Sequence, residues 1–183
     1  MKVHFFSLNK IKFDAQWFNT VIGKLVLATR FNFGFIGTYN PKMQVPDFNR
    51  FVVGGSGLIG YSLDGREIIS QRAMPDGYST ALNNNTLATI YNRYTIELRH
   101  PVTLNPTATI FGLLYLEAGN ASTSLQTYNP FKLYRSAGVG VRVFMPMFGL
   151  LGFDYGVGID RYNNNSGIKG AAKFTFMLGQ EAD

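Results

Sequence analysis

The feature that most constrains this chain is alternation. Apolar and polar side chains change places at every second residue, over segments longer than an ordinary strand. Between Lys10 and Phe18, Ile11, Phe13, Ala15 and Trp17 fall on one face, while Lys12, Asp14 and Gln16 fall on the other. From Leu25 to Tyr39, Leu25, Leu27, Phe31, Phe33 and Phe35 oppose Arg30, Asn32 and Gly34. From Ile90 to Val102, Tyr94, Ile96 and Leu98 oppose Arg93, Thr95, Glu97 and Arg99. Thr107 to Ala118 is apolar on both faces until Glu117. Arg135 to Met145 sets Ala137, Val139, Val141 and Val143 against Ser136, Gly138, Gly140 and Arg142. Leu151 to Ile159 sets Leu151, Phe153, Tyr155 and Val157 against Gly152, Asp154, Gly156 and Gly158. In the last segment Ala172, Phe174, Phe176 and Leu178 oppose Lys173, Thr175 and Met177. Period two means strands whose two faces meet different surroundings.

These are about seven strands, most of them near the roughly 9–11 residues that cross a bilayer at a tilt. One face is aromatic and β-branched. The other mixes glycine, threonine and charge, which suits a wet interior. Pro41, Asn105-Pro106 and Pro146 mark turns, and Asn163 to Gly167 is a polar hairpin loop. Composition agrees: 46% of residues are apolar and only 15% charged, with 16 Phe and 10 Tyr. No run approaches the roughly 20 apolar residues of a membrane-spanning helix. The expected fold is therefore all-β, an antiparallel transmembrane β-barrel. A soluble β-sandwich binding module is the alternative, since it also alternates. Its strands are shorter, typically about 5–6 residues, and its core rarely needs aromatics on every strand.

Seven strands do not close a barrel, because closed bacterial single-chain barrels have an even count of at least about 8. An open edge in lipid leaves backbone groups unpaired at several kcal/mol each. The N-terminus, MKVHFFSLNKIKF, has no apolar stretch or cleavage site of a secretion signal. Both features predict that residues 1–183 are the later part of a longer protein.

Other classes of function are disfavoured. There is no cysteine, hence no disulfide framework and no cysteine zinc site. The net charge of +6 is spread over single Lys and Arg residues, so no nucleic-acid partner is expected. His4 and His100 have no partners at ligand spacing. Ser79-Thr80 lacks a His-acid context for a hydrolase. Gly54-Gly55-Ser56-Gly57 is followed by no Lys-Ser/Thr and is not a phosphate loop. Asp64-Gly65-Arg66 reads as a tight turn. No enzymatic activity, cofactor or metal is expected.

The segment from Asn40 to Thr89 is too long for an idle loop, and it interleaves apolar residues with glycine and charge. Its stretch FVVGGSGLIGYSLDGREIISQR resembles the sixth extracellular loop of the BamA family of outer-membrane protein assembly factors, in the bacterial surface antigen superfamily. TIYNRYTIELRHPV, GLLYLEAGNA, NPFKLYRSAGVGVRVFMPMFGLLGFDYGVGI and FTFMLGQE resemble the strands that follow that loop. The resemblance covers nearly the whole chain and implies the C-terminal part of a sixteen-strand barrel.

The resemblance further implies periplasmic POTRA domains ahead of the barrel and location in the cell outer membrane. Implied partners are outer-membrane lipid, nascent β-barrel clients and other subunits of an assembly machine. The family folds and inserts other β-barrels without nucleotide or metal; a polypeptide-translocating pore is the related alternative. Its long loop folds into the lumen and pairs a tip arginine with acidic residues of later strands. Carried onto this chain, the arginine is Arg72 and the acids are Glu117 and Asp154. Two positions depart from the family pattern. Gln71-Arg72-Ala73-Met74 lacks the glycine and aromatic that follow the family's arginine, and Ala182 before Asp183 replaces a terminal aromatic.

Overall fold

The computed structural model describes residues 8–38, 44–53, 87–105, 107–146, 149–161 and 172–179. The strands are β1 (Leu8–Ile22), β2 (Leu25–Thr38), β3 (Phe51–Val52), β4 (Leu87–Ala88), β5 (Ile90–Asn105), β6 (Ala108–Ser122), β7 (Tyr134–Met145), β8 (Gly149–Gly158) and β9 (Ala172–Gly179). Seven of them form one sheet in the order β1-β2-β5-β6-β7-β8-β9, and β3 and β4 form a separate two-stranded ribbon. Every neighbouring pair is antiparallel. A 3-10 turn covers Asp47–Asn49, and a single helical turn covers Ile159–Arg161. No helix among the described residues is long and apolar enough to cross a membrane, which leaves strands as the only spanning elements to consider.

The connections sort by length. β1 and β2 are joined through Gly23 and Lys24 alone, with Gly23 at a φ of 58° that a side chain would oppose. β5–β6 and β7–β8 are likewise joined by two or three residues, all at one end of the sheet. The β2–β5, β6–β7 and β8–β9 connections are long and lie at the other end. Such asymmetry is the usual layout of outer-membrane barrels, whose short turns face the periplasm.

The seven strands carry two unlike faces in the expected registers. On the apolar face Phe13, Trp17, Ile96, Leu114, Leu116, Val139, Tyr155 and Phe174 remain exposed, at 54% for Phe13 and 62% for Phe174. Rings pair there across strands: Phe31 stacks on Tyr94 at 4.9 Å, and Phe153 meets Phe176 at 5.2 Å. The polar face holds Asn32, Thr95, Glu97, Glu117, Ser136, Arg142, Asp154 and Thr175, all buried. This reverses the usual order of a soluble protein, which hides apolar groups and exposes charge.

Some strand ends differ from expectation. β6 continues past Ala118 to Ser122, because Asn120 and Ser122 stand on the otherwise apolar side and end the alternation before the strand ends. β5 runs past Val102 to Asn105; its register shifts between Pro101 and Thr103, so the period is lost while pairing continues. β8 starts two residues earlier than expected, next to its turn, and stops one residue earlier at Gly158, where the helical turn begins at Ile159. The β3–β4 ribbon was not expected at all. It packs on the polar side at the long-connection end, where Phe51, Val53 and Ala88 join Ile36, Tyr91 and Ala121 in an apolar cluster. Phe51 meets Tyr91 edge-on at 4.8 Å. A β-sandwich is not what forms, since the long strands share one sheet and the only other sheet among the described residues is this ribbon.

Candidate functional site

The polar face is the site that the strands build. Because opposite residues of neighbouring strands share a face, the registers define its rows. One row reads Gln16, Arg30, Thr95, Glu117, Ser136 and Gly158. Arg30 donates to Gln16 at 3.2 Å, and the Thr95 hydroxyl donates to Glu117 at 3.4 Å. Ser136 is 1% exposed, and its hydroxyl has no hydrogen-bond partner among the described residues. One row toward the long connections, Asn32 donates to Asp14 and accepts from Arg93 Nε at 2.9 Å, linking β1, β2 and β5. Toward the short turns on β5, Arg99 grips Glu97 at 2.6 Å and lies between the rings of Phe18 and Phe111, at 5.7 and 5.5 Å. The rings shield that ion pair and attract its cation.

The most enclosed pair is Arg142 with Asp154. Two parallel hydrogen bonds join them, Nη1 to Oδ1 at 2.7 Å and Nη2 to Oδ2 at 2.9 Å, and their side chains are 2% and 1% exposed. Paired forks of this kind combine charge with fixed geometry. Glycine makes the room: Gly140 lies opposite Asp154, and Gly152 lies opposite Arg142. A Cβ on Gly140 would collide with the Asp154 carboxylate, and one on Gly152 would sit 3.1 Å from Nη1. Elsewhere on the face, tyrosines lie over glycines. Tyr91 covers Gly34, and Tyr115 covers Gly138, each directly across the strand pair.

The structure puts Glu117 and Asp154 on this one face, both almost fully buried; the alternation places Asp154 there, while only the family resemblance places Glu117. They are not neighbours. Asp154 lies level with Gly140 and Leu113, four residues along β6 from Glu117, or about 13 Å at the strand rise. Arg72, with Ala73 and Met74, lies outside the described residues, as do Ala182 and Asp183. Sequence reasoning placed Arg142 on the glycine-rich face but did not pair it with Asp154. The signal was present: Gly140-Val141-Arg142 and Gly152-Phe153-Asp154 flank one short turn, and setting that turn aligns each glycine with the other triplet's charge.

A wall with an apolar aromatic outside and a buried lattice of charge inside can separate lipid from a polar interior. Residues 4–182 match the family model of the Omp85 superfamily domain. No curated protein matches the chain.

Proposed function

This chain belongs to the Omp85 superfamily, and on that premise we propose that it is the C-terminal part of a sixteen-strand outer-membrane barrel that folds and inserts other β-barrel proteins. Superfamily members are outer-membrane proteins and include both assembly and translocation proteins. The observation that carries the membrane half of the proposal is the apolar face, exposed on six of the seven strands and half-buried on β2, flanked by short turns at one end and long connections at the other. The BamA-like loop motif supports the assembly role, while the barrel strands alone barely separate it from the translocating pore. In this reading POTRA domains precede the barrel, clients are nascent barrels, and no nucleotide, metal or catalytic group takes part.

The segment 40–89 is proposed to fold into the lumen. Its described ends already rest on the polar face, through Phe51 on Tyr91 and with Lys10 Nζ 4.9 Å from the Phe51 ring. Arg72 is proposed to pair with the acids of that face, Glu117 first, while Asp154 shares its charge with Arg142. The test is made in the full-length protein in cells. Depletion lowers the outer-membrane levels of unrelated barrel proteins, and Arg72→Glu both exposes the loop to protease and lowers those levels. Unchanged barrel levels on depletion, with loss of one secreted polypeptide instead, favour the translocating pore. Unchanged protection in Arg72→Glu refutes the pairing.

A further inference from the structure

The β6–β7 connection, residues 123–133, folds in a direction that the barrel role does not require. Tyr94, Ile96 and Leu98 of β5 and Leu114 and Leu116 of β6 define the apolar side. Asn92 and Asn120 continue that side toward the long-connection end, yet they are only 2% and 5% exposed. The connection covers them. Asn92 Nδ2 donates to the Pro130 carbonyl at 3.1 Å, and Asn120 Nδ2 donates to the Asn129 carbonyl at 2.8 Å. The Ser122 hydroxyl is held by Ser124 O and Thr127 Oγ1. The connection therefore lies against the outside of the wall, above the apolar band.

Its tip is fixed and apolar. Asn129 Oδ1 accepts from the Phe131 N–H at 3.0 Å, an Asx turn, and Asn129 O accepts from the Lys132 N–H at 3.2 Å. So anchored, Phe131 is 91% exposed and Leu125 60% exposed. Lys132 beside them is exposed too. Arg135, one strand residue further, is occupied by Asp160 at 2.8 Å.

We infer that this connection is a membrane-interface anchor, seating Phe131 and Leu125 in the headgroup zone of the outer leaflet with Lys132 against lipid phosphate. Three observations carry it: the outward fold, the continuity with the apolar band, and an aromatic presented by a hydrogen-bonded turn next to an exposed surface cation. Aromatic rings settle at headgroup level, and lysines near them gain from anionic lipid. The inference rests on the reading that the apolar face meets lipid.

The experiment separates the two. The chain's single tryptophan, Trp17, stands on the apolar face of β1 at 58% exposure and reports on the membrane reading. Phe131→Trp in a Trp17→Phe background reports on the connection. Both proteins, with whatever chain precedes them in the full-length protein, are reconstituted in vesicles of phosphatidylcholine and phosphatidylglycerol containing lipid brominated near the headgroup or deep in the acyl chain. Trp17 emission is expected to be quenched. The indole of Phe131→Trp is expected to be quenched about twofold more by shallow than by deep bromine, as an interfacial position requires. Adding Lys132→Ala, or omitting phosphatidylglycerol, should weaken that shallow quenching. Quenching of Trp17 without quenching of the Phe131→Trp indole overturns the anchor and leaves the membrane reading standing, as does shielding of that indole only when another protein is added. Failure to quench Trp17 overturns both.

Discussion

At the residue scale, the polar face depends on glycine as much as on charge. The Arg142–Asp154 fork is closed because Gly140 and Gly152 stand where side chains would otherwise intrude. A buried pair of this kind is costly to break from one side, since the surviving charge loses its partner. Asp154→Asn is therefore expected to destabilise the lipid-reconstituted protein by about 3–5 kcal/mol in urea unfolding. Joint replacement, Arg142→Met with Asp154→Leu, should recover much of that loss, because it strands no charge; recovery no better than the single variant refutes the account. Glycines offer a second contrast. A Cβ on Gly138 would lie 2.5 Å from Tyr155 O and 2.7 Å from the Tyr115 ring, whereas one on Gly112 meets nothing within 4 Å. Gly138→Ala should lower the urea midpoint clearly, by roughly the 1–3 kcal/mol typical of overpacking. Gly112→Ala should leave that midpoint unchanged or raise it slightly.

At the element scale, the connections are what distinguish the two ends of the sheet, and 123–133 is the long connection whose fold is described throughout. Burial pushes the Tyr128 phenol up to about 12 from 10.0, with the nearby Tyr94 adding to the effect. Its hydroxyl is buried without a hydrogen-bond partner among the described residues. The folded connection thus favours the neutral phenol. That contribution is complete below the unfolded value of 10.0 and is lost as pH rises from there through about 12. Phenolate absorbance followed against pH should show a late step that disappears in Tyr128→Phe. That variant, which also removes an unpaired buried hydroxyl, should hold the connection in place at higher pH than the parent. An identical titration in both proteins would show that Tyr128 is not enclosed.

At the scale of the whole molecule, the reversed distribution of polarity decides what surroundings the sheet needs. Leu116 lies mid-strand on the apolar face, 55% exposed. If that face meets water, Leu116→Arg is harmless and improves solubility. If it meets lipid, the change costs about 2–4 kcal/mol near the bilayer midplane. Vesicle-reconstituted unfolding should show the loss for Leu116→Arg and little change for Lys12→Arg, which puts the same side chain on the polar face where a cation already stands. The two outer edges, along β1 and β9, belong to the same argument. Backbone groups unpaired in lipid are costly, so a sheet of this kind calls for further strands to complete it.

The sequence by itself determined the strands and their faces, because a period of two survives wherever the two sides of a strand meet different surroundings. It placed Asp154 on the glycine-rich face for the same reason, whereas the segment before Glu117 is apolar on both sides and left the face of Glu117 to the structure. Where local chemistry interrupts the period, legibility ended: at the register shift after Pro101, at Asn120 and Ser122, and at the short β3–β4 ribbon, whose pairs are too few to leave a pattern. Only the tertiary structure decided which polar groups meet. Arg142 and Asp154 are twelve residues apart, and their pairing depends on a register set by the turn between them. Asn92 and Pro130 come from separate elements, and their contact depends on the connection turning outward rather than inward. Period along a strand is written in neighbouring residues; register across strands, and the side on which a connection settles, depend on partners that the local pattern does not encode.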